Sequence, residues 1–170
     1  KHSRTISEWK NQTFIYDFQT LKNAVEAKRI VYRPPTELFD DEDEQDRFFK
    51  WVYQQGHVRL YVDELSSLLG GSRPNFWLKL CLMLGRERGI SVVTTIQRPV
   101  SMPLITYTEA SKIYVFKLQE EDDRRRIEKA TGITDEQQQS LRGHEFFFYD
   151  DFTGALPQKL QLNLNAIELV

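Results

Sequence analysis

The sequence predicts an α/β fold of three layers, with a mainly parallel sheet and an antiparallel hairpin at its C-terminal end. Short apolar, β-branched runs alternate with helical periodicities along the chain, which is the pattern of parallel strands joined by crossover helices. The final run, "HEFFFYDDFTGALPQKLQLNL", holds two strand-like halves about Gly154, so the last pair is antiparallel. With 170 residues, 40% hydrophobic and 12% aromatic, the chain has the length and core material of one domain, expected over 1–170.

The elements follow in order. "QTFIYDF" (12–18) and "KRIVYRPP" (28–35) read as short strands, the second ended by its prolines. The acidic run "DDEDEQD" at 40–46 reads as the solvated start of a helix whose apolar face carries Phe48, Phe49, Val52 and Tyr53. Acidic residues complement the dipole there, and Gly56 is a natural stop. "VRLYVDELSSLLG" (58–70) is a strand that ends on adjacent carboxylates, Asp63 and Glu64, and "GGSR" (70–73) breaks the chain. In "PNFWLKLCLMLGRERG" Pro74 suits a helix start, and the apolar run from Phe76 to Leu84 predicts a helix buried on more than one side. "GISVVTTIQRP" (89–99) and "SKIYVFKL" (111–118) are further strands, followed by two short polar helices, "EEDDRRRIEKATG" and "TDEQQQSLRG".

Composition excludes several function classes. The 23 Lys and Arg against 25 Asp and Glu leave a net charge of −2, so no global positive field advertises nucleic acid or an acidic membrane. The apolar runs are shorter than the ~20 residues of a membrane helix, so a soluble, intracellular protein is expected. Cys81 is the sole cysteine and His2, His57 and His144 are scattered, which gives neither a disulfide nor metal-ligand spacing. No serine sits in a nucleophile elbow, and the first residue, Lys1, suggests a piece of something longer.

The chemistry gathers where strands end. In an open parallel sheet the ligand crevice lies beyond the carboxyl ends of the strands, where Asp63, Glu64 and Gln97 are all expected. Asp63 offers an oxygen ligand to magnesium, directly or through water, and Glu64 can orient or deprotonate the attacking water. The competing reading makes the pair the first polar residues of a turn. Gln97 can donate to a terminal phosphate and accept from water, or merely open the Arg98-Pro99 turn. Arg86 and Arg88 in "GRERG" can neutralise charge on a phosphate or cap a helix end. "RRR" (124–126) follows "EEDD", so ion pairing within the helix is favoured over DNA contact.

Taken in order, "VRLYVDE", a helix ending in "GRERG" and "ISVVTTIQRP" resemble the HerA/FtsK superfamily of P-loop ATPases, ring motors that pump DNA. The resemblance extends to "FIYDF" with Asp17, to "RIVYRPP", and downstream through "SKIYVFKLQEEDDRRRIEKATGI" to the hairpin, covering almost the whole chain. In size and lack of inserted domains the chain is most similar to the genome-packaging ATPases of membrane-containing viruses. The resemblance implies a RecA-like (ASCE) core, ATP and Mg2+ as cofactors, magnesium coordination by Asp63, the catalytic glutamate at Glu64, a γ-phosphate sensor at Gln97, and a trans-acting arginine at Arg86 or Arg88. It further implies double-stranded DNA as partner, a homo-oligomeric ring of five or six copies, a capsid portal or vertex protein nearby, and a place in the host cytoplasm or virion. Two residues depart from the pattern: Arg59 interrupts the strand before Asp63, and Ile96 stands where threonine is common before the glutamine.

One part is missing. No glycine in the chain is followed by lysine, so the phosphate loop Gly-x-x-x-x-Gly-Lys-[Ser/Thr] is absent. Family order places it upstream of "FIYDF", on a strand expected between "ISVVTTI" and "SKIYVF". Two alternatives stay open: a conjugation- or secretion-associated relative, and a loop-less, non-catalytic ring subunit.

Overall fold

The computed structural model describes residues 13–16, 20–21, 30–33, 35, 37, 41–69 and 75–163. The expectations placed on Asp17, on the break at 70–73 and on Pro74 lie outside these residues.

β1 (Thr13–Ile15) and β2 (Ile30–Tyr32) pair in parallel. Helix α1 (Glu42–Gln55) begins where Asp41 accepts hydrogen bonds from the Asp43 and Glu44 backbone amides, at 3.0 and 3.1 Å. The acidic run is only partly solvated. Glu44 is buried and its carboxylate takes the Tyr32 hydroxyl at 3.0 Å, while Phe48 stacks on the Tyr32 ring with centroids 4.2 Å apart. These contacts seat β2 against α1, whose Phe49 and Val52 enter the core as the periodicity predicts.

Gly56 ends α1 with φ 62°, and a β-carbon there would stand 2.8 Å from the Arg88 carbonyl oxygen. The chain then enters β3 (Arg59–Val62), which pairs in parallel with β4 (Ser91–Thr94) in the register Leu60 with Val92 and Val62 with Thr94. Between them lie the short helix α2 (Ser66–Leu69), helix α3 (Phe76–Leu84) and a 3₁₀ turn, Gly85–Arg88. Asn75 caps α3 by accepting from the Leu78 amide at 2.9 Å. Only Leu78 and Cys81 of α3 are buried, and burial pushes the Cys81 thiol up to about 11. Phe76 is 58% exposed and Met83 and Leu84 are exposed as well, so α3 is covered along one side and not, as its all-round apolar character suggested, along several.

After a 3₁₀ turn (Pro99–Ser101) and helix α4 (Ile105–Thr108) comes β5 (Lys112–Val115). Helices α5 (Glu121–Thr131) and α6 (Asp135–Gln139) follow, the latter opened by a reciprocal Thr134–Gln137 capping box. The chain closes with β6 (Glu145–Asp150) and β7 (Gln158–Gln161), joined by the predicted turn at Gly154.

The sheet differs from the expectation in one respect. β5 pairs antiparallel with β6, and β6 with β7, so the antiparallel part has three strands, "SKIYV" included, rather than the predicted pair. Among the described residues parallel pairing is confined to β1–β2 and β3–β4. Among the described residues neither β4 nor β5 carries a strand on its second edge. One face of these strands is filled by Leu60, Val62 and Val115 of the common core; on the other, Tyr61, Val93, Tyr114 and Phe116 are exposed.

Candidate active site

The site is built at the carboxyl ends of β3 and β4. Parallel register sets Val62 beside Thr94, so Asp63 and Thr95 emerge together. The Thr95 hydroxyl donates to Asp63 Oδ1 at 2.8 Å and accepts from the Glu64 backbone amide at 2.9 Å. One hydroxyl thereby ties both carboxylate-bearing residues to β4. Its neighbour Thr94 donates to the Val62 carbonyl at 3.0 Å and closes the strand ends from the other side. Sequence reasoning passed over both threonines, although "TT" directly before "IQ" was the available signal.

Glu64 adopts φ 57°, a left-handed conformation that costs a non-glycine residue about 1 to 3 kcal/mol. It persists because what flanks it is fixed: the Leu65 amide donates to the Thr95 carbonyl at 2.9 Å, and the Leu65 side chain is fully buried. The turn aims the Glu64 carboxylate at Ser66, whose hydroxyl donates to Oε1, and leaves Oε2 buried with no hydrogen-bond partner. A buried, unpartnered carboxylate oxygen is an acceptor short of a donor, which a water or another ligand can supply. Nearby, burial and then the Asp63 charge raise the Tyr61 phenol above its usual range, against a hydrogen bond from Thr95 that lowers it.

Gln97 lies two residues beyond Thr95, within about 7 Å along the chain. It is exposed, and its side chain makes no hydrogen bond among the described residues. The structure thus brings Asp63 and Glu64 together through Thr95, with Gln97 two residues further along the chain.

It does not bring the arginines there. Arg86 and Arg88 precede β4, whose extended run spans at least about 10 Å, so they stand at the opposite end of the sheet from Asp63. The two also differ. Arg88 donates from Nε to the Tyr53 carbonyl at 2.6 Å and from Nη2 to the Gln54 carbonyl at 3.0 Å, and lies over the Tyr53 ring. It closes the C-terminal end of α1, where carbonyls lack helical partners. Arg86 is exposed, and among the described residues its side chain makes only a ring contact, with Phe152 at the hairpin turn.

The "RRR" triplet is also occupied by the protein itself. Arg124 pairs with Asp135, Arg125 with Glu121 one turn away, and Arg126 donates to the Met102 carbonyl at 2.7 Å over the Tyr107 ring. Only the second of these is the pairing within the helix that the sequence suggested.

No protein-family model matches the sequence, and no curated protein matches it either. Solved structures do. The genome packaging NTPase B204 from Sulfolobus turreted icosahedral virus 2 in complex with AMPPCP superimposes with a TM-score of 0.70 at 18% identity, over 93% of this chain and 76% of that one. Its complex with ATP-gammaS gives 0.70 at 20% identity, over 88% and 74%. B204, the DNA-packaging ATPase from Sulfolobus Turreted Icosahedral Virus, gives 0.63 at 20% identity, over 81% and 68%. The chain has the fold of these viral NTPases.

Proposed function

We propose that this chain is the core of an ATP-hydrolysing, DNA-translocating motor of HerA/FtsK type, acting in viral genome packaging as a homo-oligomeric ring. The observation that supports it most is the rim itself: Asp63 and Glu64 just beyond one parallel strand, both bonded to Thr95 at the end of the next, with Gln97 two residues on, in a fold shared with nucleotide-bound packaging NTPases.

The donor set fits magnesium held together with a nucleotide. Asp63 and Glu64 supply hard carboxylate oxygens, yet among the described residues no cluster of three or more Asp, Glu, His or Cys forms a protein-only cage. Magnesium characteristically takes one or two carboxylates and completes its shell with water and phosphate oxygens. Asp63 would hold it, and when bound it neutralises charge on the phosphates. Glu64, through the oxygen that now lacks a partner, orients and deprotonates the attacking water. Gln97 extends from the same rim to the terminal phosphate. Arg86, at the far end of the sheet, serves the nucleotide of an adjacent copy, and the bare side of α3 beside it suits the contact between copies.

Phosphate binding in this reading comes from a glycine-rich loop on a strand that fits the open edges of β4 and β5. The alternative is a non-catalytic ring subunit. An ATPase assay on the full-length protein separates the two. Magnesium-dependent hydrolysis that rises when double-stranded DNA is added is the expected result; no hydrolysis with or without DNA sinks the motor.

Thr95 gives a second check. Thr95→Val deletes the hydroxyl that joins Asp63 to the Glu64 amide, and a hydrogen bond to a charged group contributes about 1.5 to 3 kcal/mol. Turnover is expected to fall roughly tenfold or more, with nucleotide affinity less affected. Wild-type turnover in the valine variant would show that the bridge is dispensable.

A further inference from the structure

Asp123 lies in the first turn of α5 and is 2% exposed. An ionised carboxylate that deep costs several kcal/mol unless it is fully bonded, and an apolar residue in its place is often no worse for stability. Asp123 spends its two oxygens on one short segment. Oδ2 accepts from Arg98 Nε at 2.8 Å and Oδ1 from the Val100 backbone amide at 2.8 Å. Pro99, between them, has a fixed φ and gives its carbonyl to the buried Tyr107 hydroxyl at 2.7 Å. Burial pushes that phenol up to about 12, so it remains a donor at neutral pH. Arg126 holds the Met102 carbonyl a little further on.

The other end of this stretch is fixed too, because the Thr95 amide donates to Val62 at the end of β3, its hydroxyl donates to Asp63 and its carbonyl accepts from the Leu65 amide. Between the two anchors stand only Ile96 and Gln97. Gln97 is the residue covalently joined to Arg98, and nothing else among the described residues holds its side chain.

We propose that Asp123 is the positioning residue for Gln97: by clamping Arg98 and Val100 it fixes how far the glutamine reaches toward the rim formed by Asp63 and Glu64. The inference rests on reading Gln97 as the phosphate sensor, and it makes the start of α5 part of the site although Asp123 never touches the nucleotide. A displacement of about 1 Å in a positioned group can cost up to a hundredfold in rate, so a clamp one residue away has leverage on turnover.

A double-mutant cycle in the full-length protein tests it, with turnover, nucleotide affinity and thermal midpoint measured on Gln97→Ala, Asp123→Asn and the pair. Asp123→Asn is expected to lower kcat about tenfold with nucleotide affinity within about twofold. In the Gln97→Ala background it should cost no further turnover, while it lowers the thermal midpoint equally in both. A residue that merely stabilised the fold would not lose its effect when Gln97 is removed. Arg98→Ala, whose side chain is 59% exposed, repeats the cycle and decides the matter where Asp123→Asn fails to fold. Rate losses that multiply overturn the clamp. So do clamp variants within twofold of wild type when Gln97→Ala is slow, and in that case the sensor survives. Wild-type turnover in Gln97→Ala removes the sensor and the clamp together.

Discussion

Glu64→Gln in the full-length protein is expected to reduce ATP turnover by about a hundredfold or more while leaving nucleotide and magnesium binding near wild type. The amide keeps the shape of the side chain and can still accept from Ser66, so the left-handed turn at 64 and the Thr95 bridge remain. What is lost is the proposed base, the oxygen now buried without a partner. Asp63, on the other side of Thr95, is untouched, so the proposed magnesium ligand is kept. Steady-state turnover and equilibrium binding on the same preparation check this. Turnover within a few-fold of wild type would falsify the assignment of Glu64 as base.

The arginine pair should divide into two phenotypes. Arg88→Ala removes two hydrogen bonds to the carbonyls that end α1 and the contact over Tyr53, so it is expected to lower the thermal midpoint. The effect is about 1 kcal/mol, because the residue is exposed to solvent. Arg86→Ala removes only a ring contact at the surface and should leave stability unchanged. Its effect is expected on the rate, since an arginine acting on a neighbour's nucleotide contributes roughly 10³-fold or more. Mixing Arg86→Ala with Glu64→Gln subunits should return part of the turnover, because an intact Glu64 then faces an intact Arg86 across some interfaces. If Arg86→Ala rings hydrolyse ATP at the wild-type rate with DNA present, or if mixing restores nothing, the arginine does not act between subunits.

Local patterns in the sequence were reliable where one interaction dominates. The apolar stripe of α1 and the strand at 59–62 reflect burial at a fixed period, the hairpin reflects its turn about Gly154, and each forms as expected. Pairing was less legible. Nothing in "SKIYVFKL" distinguishes a strand in a parallel sheet from one that meets β6 antiparallel, because both need the same β-branched and aromatic residues. The site divides in the same way. Asp63, Glu64 and Gln97 are legible as candidates by their chemistry at strand ends, whereas Thr95 and Asp123 are marked only by hydrogen bonds to partners 32 and 25 residues away. Arg86 and Arg88 are equivalent in "GRERG", and only the approach of the α1 terminus distinguishes them.

The uncovered side of the strands also bears on how the 170-residue chain behaves in a tube. Among the described residues, Tyr61, Val93, Tyr114 and Phe116 offer an apolar surface next to edges of β4 and β5 that carry no neighbouring strand, and such edges recruit further strands. Edge-to-edge addition that is head-to-tail and does not close gives products that lengthen as protein concentration rises. A ring closes and stops growing at one stoichiometry. Mass measured over a wide dilution series therefore distinguishes the two, and a large particle seen at a single concentration is not evidence of a ring.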